Sequence, residues 1–300
     1  MSELRIPALR RPDVSIVIVT YNAGEVLSQA LRALLENTEP CYELIVVDNG
    51  SDDGTPSRLR EVESATIVLN TRNYGFGAAN NQGAAHARGR YVVFLNQDVF
   101  VHPGWLRPLV EQIEADERVG AVGPMLLNPD GSLQCAGALL SRSGSTACYG
   151  DGDRPDRPEY RFARVVDYLA GACLLVRRGA FTDVGGFDPA YGLAYFEDAD
   201  LCLTLAARGY RSVYEPRSSV THLRGKPGAE LSLLALRNCA LFERRWRRVL
   251  ASRPLSPLAA SRRRTLAARD APAVATAGPG DPLHGLDMAR PTSSLDSLPT

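Results

Sequence analysis

Four short, continuously apolar runs recur through the first hundred residues of this chain, and helical patterns fill the segments between them. Residues 26–35 carry leucine and alanine at helical spacing, and residues 77–88 form an alanine-rich stretch of helical character. Strands without polar alternation are typical of parallel sheets whose faces are both covered by helices. The order therefore predicts an α/β fold with a mostly parallel sheet. The four predicted strands are Ile16–Val19, Leu44–Val47, Thr66–Leu69 and Tyr91–Leu95.

The pattern loosens after residue 115. Residues 141–164 are rich in Gly, Pro, Arg and Asp, which predicts a long loop. Leu231–Leu250 has leucines opposite a set of arginines and predicts an amphipathic helix. The other predicted elements are a buried strand at Tyr168–Val176, a helix at Ala199–Arg208, and short strands at Val213–Tyr214 and Ser219–Val220.

The formal net charge is zero, but the charges are unevenly distributed. Residues 221–270 contain 12 basic and 3 acidic side chains, residues 271–300 have a net charge of −2, and the remainder carries −7. A neutral chain gives no reason to expect nucleic-acid binding. The last thirty residues hold five prolines and no aromatic residue, which predicts a disordered tail. We divide the chain into an arm (1–12), a main domain (13–225), a basic helical extension (226–270) and the tail (271–300).

Compartment and membrane signals are sparse. The six cysteines form no CxxC pair, which argues against a zinc ribbon. The first residues lack the apolar core of a secretory signal, and no run approaches the ~20 apolar residues of a membrane span. We therefore expect a cytoplasmic protein. The basic segment Arg237–Arg264 favours peripheral contact with anionic lipid at the inner face of the cell membrane, and a solvated helix packed on the acidic main domain is the alternative.

Polar, turn-forming residues follow each of the four predicted strands. In open α/β sheets, ligands bind at the carboxyl ends of the strands, so these residues predict one binding site. Turns and helix caps are the alternative interpretation of each segment. A calcium loop beginning at Asn49 is disfavoured by Arg60 at its twelfth position, and Asn80 replaces the third glycine of a dinucleotide-binding motif. The four segments are Thr20-Tyr21-Asn22, Asp48–Thr55, Asn70–Gly77 and Asn96-Gln97-Asp98.

Carboxylates and one histidine suggest chemistry at this site. Asp48 can accept hydrogen bonds from a nucleobase or a ribose, and Asp98 can bind Mg²⁺ or Mn²⁺ beside phosphate. Glu197 and Asp198 open a predicted helix, where acids are favoured by the helix dipole but also suit a general base. His222 ends a short strand and is either a structural residue or a nitrogen ligand of the cation.

Six motifs, in this order along the chain, resemble those of family 2 glycosyltransferases, and most nearly of the bacterial rhamnosyltransferase-like branch. The resemblance spans about residues 13–225. It implies a GT-A fold, in which a Rossmann-like, mostly parallel mixed sheet has helices on both faces. The motifs are Val17–Asn22, Val46–Thr55, Asn73–Asn81, Phe94–Asp98, Phe196–Cys202 and the single residue His222.

The resemblance implies roles for individual residues. Asp198 is the expected base, with Glu197 beside it, and Asp98 with His222 is expected to hold Mg²⁺ or Mn²⁺. The expected nucleotide-sugar contacts are Thr20, Tyr21, Asn22, Asp48, Asn73, Gly75, Phe76, Asn80, Asn81, Asn96 and Gln97.

The implied reaction is an inverting transfer of a sugar, rhamnose among the candidates, from a dTDP- or UDP-sugar to an acceptor hydroxyl. The acceptor is a glycan, a lipid-linked glycan or a small molecule, as in polysaccharide biosynthesis. Residues 125–165 and 185–196 are expected to shape its site. The chain departs from the family pattern at Asn96, where the first carboxylate of a DxD motif is missing, and at Thr204, where arginine is usual.

Two other functions are considered. A degenerate domain that binds a nucleotide sugar without turnover is suggested by Asn96 and Thr204. A sugar-phosphate nucleotidyltransferase needs a basic, glycine-rich loop after the first strand, and residues 20–24 contain no basic side chain.

Overall fold

A computed structural model describes residues 4–5, 11–39, 41–225 and 229–255. The tail predicted at 271–300, and most of the arm at 1–12, lie outside these residues. The helices are α1 (Gly24–Asn37), α2 (Thr55–Leu59), α3 (Phe76–Ala85), α4 (Leu106–Glu114), α5 (Arg178–Asp183), α6 (Glu197–Ala207) and α7 (Ala229–Leu250). The strands are β1 (Leu4–Arg5), β2 (Val14–Thr20), β3 (Tyr42–Asp48), β4 (Val62–Glu63), β5 (Thr66–Leu69), β6 (Tyr91–Asn96), β7 (Val99–Val101), β8 (Val119–Leu127), β9 (Leu133–Cys135), β10 (Ala138–Leu140), β11 (Thr146–Cys148), β12 (Arg164–Val165), β13 (Cys173–Arg177) and β14 (Arg211–His222).

One ten-stranded mixed sheet organises the described part of the chain. Its order is β12-β14-β8-β13-β6-β2-β3-β5, with β7 paired to β14 and β9 paired to β8. Strands β6, β2, β3 and β5 are mutually parallel, whereas β13 runs antiparallel to both β6 and β8. Because β13 is antiparallel to both of its neighbours, β8 has the same direction as β6, and β14 is parallel to β8. Most strands of the sheet therefore have the same direction. This is the GT-A architecture that the sequence predicts.

The central strand β2 explains why the apolar runs were informative. Ile16, Val17 and Ile18 are all at most 1% exposed, although successive side chains of a strand point to opposite faces. Both faces of the sheet are therefore covered, as the prediction from unbroken apolar runs requires. Helix α3 packs so closely on one face that a Cβ at Gly83 would collide with Val17.

The second half differs from the predictions in three places. Within the predicted strand Tyr168–Val176, β13 begins only at Cys173, because Tyr168 forms an isolated bridge with Ala138 and residues 171–172 form a turn. The two short strands at 213–220 are one strand, β14, with a register shift between Glu215 and Ser219. The loop predicted at 141–164 contains β11 and a 3₁₀ turn at Pro158–Tyr160.

Helix α7 packs on the main domain through one face. Phe242 and Trp246 are at most 1% exposed, and the Trp246 indole N–H donates to Asp200 Oδ1 at 2.7 Å. The Arg245 guanidinium lies between Asp188 and Asp200. The helix predicted at 231–250 is therefore present, and its inner face belongs to the core of the molecule.

Candidate active site

The ends of β2, β3 and β6 place three of the expected residues side by side. Thr20 is the register partner of Asp48, and Val19 is the partner of Asn96. The Thr20 hydroxyl is buried and has no hydrogen-bond partner in the structure. Asp48 is 2% exposed and accepts hydrogen bonds from the Ser51 hydroxyl and backbone N–H. The edge thus presents an unsatisfied hydroxyl beside a carboxylate whose position is held by Ser51.

Two side chains tie the loops of this edge together. The Tyr21 backbone N–H donates to Gln97 Oε1 at 2.8 Å, and Gln97 Nε2 donates back to the Tyr21 carbonyl. Asn22, at a positive φ of 48°, donates its N–H to Ser51 Oγ and accepts from the Asp52 N–H. Gln97 and Asn22 therefore have positioning roles here, whatever contacts they make with a nucleotide.

Asn49 is a residue of this site that the sequence did not single out. Its side-chain Nδ2 donates to Asn73 Oδ1 at 2.8 Å, and its Oδ1 accepts from the Tyr74 N–H and from Asn70 Nδ2. Asn49 is 2% exposed. It joins the loop after β3 to the loop after β5, and its signal in the sequence was its membership of the polar segment Asp48–Thr55.

The loop from Asn73 to Phe76 meets the segment before α6. Gly75 has a φ of 90°, and a Cβ at this position would collide with the Gly192 carbonyl. The Phe76 N–H donates to the Leu193 carbonyl at 2.8 Å. The expected nucleotide-sugar loop therefore contacts the segment that leads into α6, the helix of the expected base.

Asn80 and Asn81 point their amides in different directions. Asn80 Nδ2 donates to the Phe76 carbonyl, while its buried Oδ1 has no partner in the structure. The Asn81 amide pairs with both the N–H and the C=O of Phe187, at 2.9 and 2.8 Å. Asn81 thus anchors the glycine-rich loop at 185–187 to α3.

Asp98 and His222 come together although 124 residues separate them. His222 Nε2 lies 3.4 Å from Asp98 Oδ1 and 3.5 Å from Asn96 Nδ2. Strand β14 delivers His222 because it pairs with β7, which directly follows Asp98. The other ring nitrogen of His222 lies 2.8 Å from Gln134 Oε1.

The expected cation fits this pair. One carboxylate oxygen and one imidazole nitrogen, 22% and 14% exposed, form a donor set suited to Mn²⁺ or Mg²⁺. Within residues that the structure describes, no cluster of three or more His, Cys, Asp or Glu side chains could hold a metal ion. Mg²⁺ commonly keeps several waters beside one or two carboxylates, so a pair of protein ligands is compatible with such a cation.

Two neighbouring carboxyl groups begin α6. Glu197 is buried, its Oε2 has no hydrogen-bond partner in the structure, and burial together with the Asp198 charge raises the pKa of Glu197 to about 8. Burial also raises the pKa of Asp198, while backbone N–H donors at Gly171 and Ala199, 2.9 and 2.7 Å away, hold its two oxygens in place. Asp198 is the more exposed of the two.

Residues 171–172 connect the two halves of the site. The Gly171 N–H binds Asp198, and the Ala172 carbonyl accepts from the Asn96 N–H at 2.9 Å. A Cβ at Gly171 would lie 3.2 Å from the Phe76 ring and 3.4 Å from Asp198 Cβ. The pair Asp98–His222 and the carboxylate of Asp198 are therefore joined by a short backbone bridge.

Helix α7 supports the segment before Asp198, a role that the sequence did not reveal. Tyr195 and Phe196 adopt positive φ values of 74° and 77°, which non-glycine residues rarely adopt. The buried Asn238 amide donates to the carbonyls of Tyr191, Ala194 and Tyr195 at 2.6, 2.8 and 3.2 Å. These hydrogen bonds hold the strained turn that aims α6 at the site.

Thr204 makes its hydrogen bond within its own helix. Its hydroxyl donates to the Asp200 carbonyl at 2.7 Å, inside α6. The hydroxyl that replaces the usual arginine at this position therefore has its hydrogen-bond partner within α6.

Comparisons with known proteins agree with this architecture. The model of the family described as glycosyl transferase family 2 matches residues 15–185. The chain is 34% identical over 230 residues to the N-acetylglucosaminyl-diphospho-decaprenol L-rhamnosyltransferase of Mycobacterium tuberculosis, covering 69% of this chain and 75% of that protein. It is 31% identical to the O-antigen biosynthesis protein RfbC of Myxococcus xanthus, covering 73% of this chain and 18% of that protein.

Solved structures share the fold at low sequence identity. GalNAc-T7, solved with UDP, GalNAc and Mn²⁺, superposes with a TM-score of 0.66 at 20% identity, covering 79% of this chain and 49% of that chain. The mannosyltransferase PcManGT of Pyrobaculum calidifontis, solved with GDP-Man and Mn²⁺, gives 0.58 at 20% identity, covering 88% and 71%. Among the described helices, none combines the length and apolar character needed to cross a membrane.

Proposed function

This chain belongs to glycosyltransferase family 2, and on that basis we propose that it moves a sugar from a nucleotide-diphosphate donor to an acceptor hydroxyl with inversion at the anomeric carbon. Residues 13–225 form the proposed catalytic domain, which the extension at 226–270 supports through α7. The observation that carries the proposal is the contact between Asp98 and His222 beyond the end of β6, which residues 171–172 link to the carboxylate of Asp198.

The proposed donor site lies at the ends of β2, β3 and β6. The Thr20 hydroxyl and the Asp48 carboxylate supply polar partners for the nucleoside. The buried Thr20 hydroxyl has no hydrogen-bond partner in the structure, which favours a ligand at this position. The Asn73–Phe76 loop encloses the sugar side. Asp98 and His222 would hold Mg²⁺ or Mn²⁺, which when bound offsets the charge of the diphosphate.

Asp198 is the proposed base. Its carboxylate takes the acceptor hydroxyl proton while the oxygen attacks the anomeric carbon, and the bond from that carbon to the diphosphate oxygen breaks with both electrons leaving on the nucleotide. The raised pKa of Asp198 makes its carboxylate a better proton acceptor than an ordinary aspartate. Burial raises the pKa of Glu197, which favours its protonated form and so limits the negative charge beside the base.

The donor is proposed to be a dTDP- or UDP-sugar, with rhamnose as the first sugar to test, because the mycobacterial relative is named as an L-rhamnosyltransferase. The same relative's name supports a lipid-linked diphosphate acceptor. Residues 185–196 lie next to Phe76 and Asp198, which favours this segment as part of the acceptor site.

Nucleotide release tests the proposal. The full chain with Mn²⁺ or Mg²⁺ is mixed with dTDP- and UDP-sugars and a polyprenyl-diphosphate-linked acceptor. Asp198→Asn should abolish nucleotide release. Its nucleotide affinity, measured by thermal stabilisation, should stay within twofold of that of the native protein. Thermal stabilisation without release for any donor would instead favour the degenerate binding protein. Activity of Asp198→Asn equal to the native enzyme would remove Asp198 from the role of base.

We also propose that the outer face of α7 contacts anionic lipid at the inner face of the cell membrane, near a lipid-linked acceptor. Leu233 and Leu236 are each 69% exposed, and the exposed Arg244, Arg247 and Arg248 follow on the same helix. Apolar side chains beside arginines suit the interface of an anionic bilayer. We expect the protein to co-sediment with anionic but not with zwitterionic vesicles. A double variant with Leu233→Glu and Leu236→Glu should no longer co-sediment with anionic vesicles. No binding at low salt would refute the contact.

A further inference from the structure

Gln134 reaches His222 from an unusual position in the sheet. Strand β9 pairs with β8 so that Leu126 opposes Cys135 and Leu127 opposes Leu133, which leaves Gln134 as the extra residue of a β-bulge. A bulge redirects a side chain that regular pairing would place elsewhere. Gln134 is 2% exposed, so its amide must find partners inside the protein.

The partners of the amide determine its orientation. Gln134 Nε2 lies 3.0 Å from the backbone carbonyl of His222 and 3.0 Å from Asn128 Oδ1. A backbone carbonyl can only accept a hydrogen bond. Asn128 in turn donates its own Nδ2 to the Leu133 carbonyl, which leaves its Oδ1 as an acceptor. The NH₂ group of Gln134 must therefore face these two oxygens, and its Oε1 faces His222 Nδ1 at 2.8 Å.

The orientation of Gln134 decides where His222 carries its proton. Oε1 can only accept, so the neutral imidazole must have its hydrogen on Nδ1. Asp98 Oδ1, 3.4 Å from Nε2, competes by favouring a proton on Nε2 instead. The buried contact to Gln134 is shorter by 0.6 Å and is locked by two further hydrogen bonds. It therefore outweighs the partly exposed carboxylate.

We propose that Gln134 is a positioning residue that holds His222 in the Nδ1–H tautomer and so leaves Nε2 unprotonated, with a lone pair that can bind the divalent cation. The inference rests on the proposed function only in assigning Asp98 and His222 to that cation. Outer hydrogen bonds of this kind orient metal-binding histidines and typically change affinity by 10–100-fold when removed.

The first test reads the tautomer in the metal-free full chain. Long-range ¹H–¹⁵N correlation spectra of histidine-labelled protein distinguish the two neutral forms, because each carries its proton on a different ring nitrogen. The His222 signals are assigned by their loss in His222→Gln. The Nδ1–H form is expected in the native protein, and the Nε2–H form there would overturn the inference without bearing on sugar transfer.

The second test compares two substitutions of Gln134. Gln134→Glu keeps an acceptor for Nδ1–H but loses both donated hydrogen bonds, whereas Gln134→Met loses all three. Gln134→Glu should retain the Nδ1–H tautomer and bind Mn²⁺ alone within about threefold of native, and Gln134→Met should shift the tautomer and lose about 10–100-fold in Mn²⁺ affinity. Equal losses in the two variants, or an unchanged tautomer in Gln134→Met, would reduce Gln134 to a structural residue and overturn the inference.

Discussion

Replacing Arg245 by methionine tests whether α7 is held by charge as well as by apolar packing. The guanidinium lies 2.5 Å from Asp188 Oδ2 and 3.2 Å from Asp200 Oδ1. Asp200 is 0% exposed, and its burial raises its pKa, an effect that the Arg245 charge opposes. Methionine keeps much of the apolar stem and removes the charge, so the substitution isolates the electrostatic contribution.

The expected loss follows from the burial of the pair. Removing one partner of a buried ion pair costs ~3–5 kcal/mol because an uncompensated charge remains. Arg245 is itself 22% exposed, and Asp200 keeps hydrogen bonds from Tyr191 and Trp246, so we expect a loss at the lower end, about 3 kcal/mol. At ~2–4 °C per kcal/mol for a domain of this size, the Tm falls by about 6–12 °C.

The assay is urea unfolding of native and Arg245→Met proteins at pH 7 and pH 5, with Arg244→Met, an exposed neighbour on the same helix, as the matched control. Without Arg245 the pKa of Asp200 rises further, so the folded variant takes up a proton before the unfolded chain does. Its deficit in the free energy of unfolding should therefore shrink as the pH falls. A loss below ~1 kcal/mol, or no larger than that of Arg244→Met, or a deficit equal at both pH values, would refute the reasoning.

Two further substitutions test the site itself. The pKa of Glu197 is raised to about 8 from 4.5, so its contribution to the free energy of unfolding falls as the pH rises between these values. Glu197→Gln has no carboxyl group to ionise. Urea unfolding should therefore show that the free energy of unfolding of Glu197→Gln rises relative to that of the native protein from pH 5 to pH 8. Gly75→Ala and Gly104→Ala both place a side chain at positive φ, at a cost of ~1–2 kcal/mol, but only the Cβ at Gly75 meets the Gly192 carbonyl. Gly75→Ala should therefore lower the Tm more than Gly104→Ala does, and it should weaken nucleotide binding. Equal Tm values would show that the loop moves to accommodate the added Cβ, which would contradict this prediction.

Strands β2, β3 and β6 are readable from the sequence because both faces of each are buried and mostly apolar, whereas the edge strand β5 is partly exposed. Each residue of Ile16–Val19 is apolar whichever face it occupies, so no knowledge of distant partners is needed. Strand β8 is different, since Gly120, Gly123 and Pro124 interrupt its apolar pattern. A Cβ at Gly120 would lie 2.7 Å from Tyr210 Cβ. Tyr210 is ninety residues away along the chain, so no local sequence pattern predicts this contact.

The site follows the same division. The prediction of Asp48 and Asp98 as site residues rests on their places at and after strand ends, and the pairing of β14 with β7 brings His222 to Asp98. Gln134 and Asn238 escaped notice because an isolated polar residue in a strand or a helix carries no signal of its own. Their roles depend on a bulge and on the docking of α7, which are products of tertiary packing.

The hydrogen bonds of Asn49 also bear on the chemical lifetime of the enzyme. Asn-Gly sequences deamidate when the nitrogen of the following glycine attacks the side-chain amide, and Asn49 precedes Gly50. In the folded chain that amide is tied to Asn73, Asn70 and Tyr74, so it is not free to rotate toward the Gly50 nitrogen. An aspartate formed there would add a negative charge beside Asp48, so ageing of the purified enzyme should begin in molecules whose nucleotide loops have opened, and bound nucleotide should slow it.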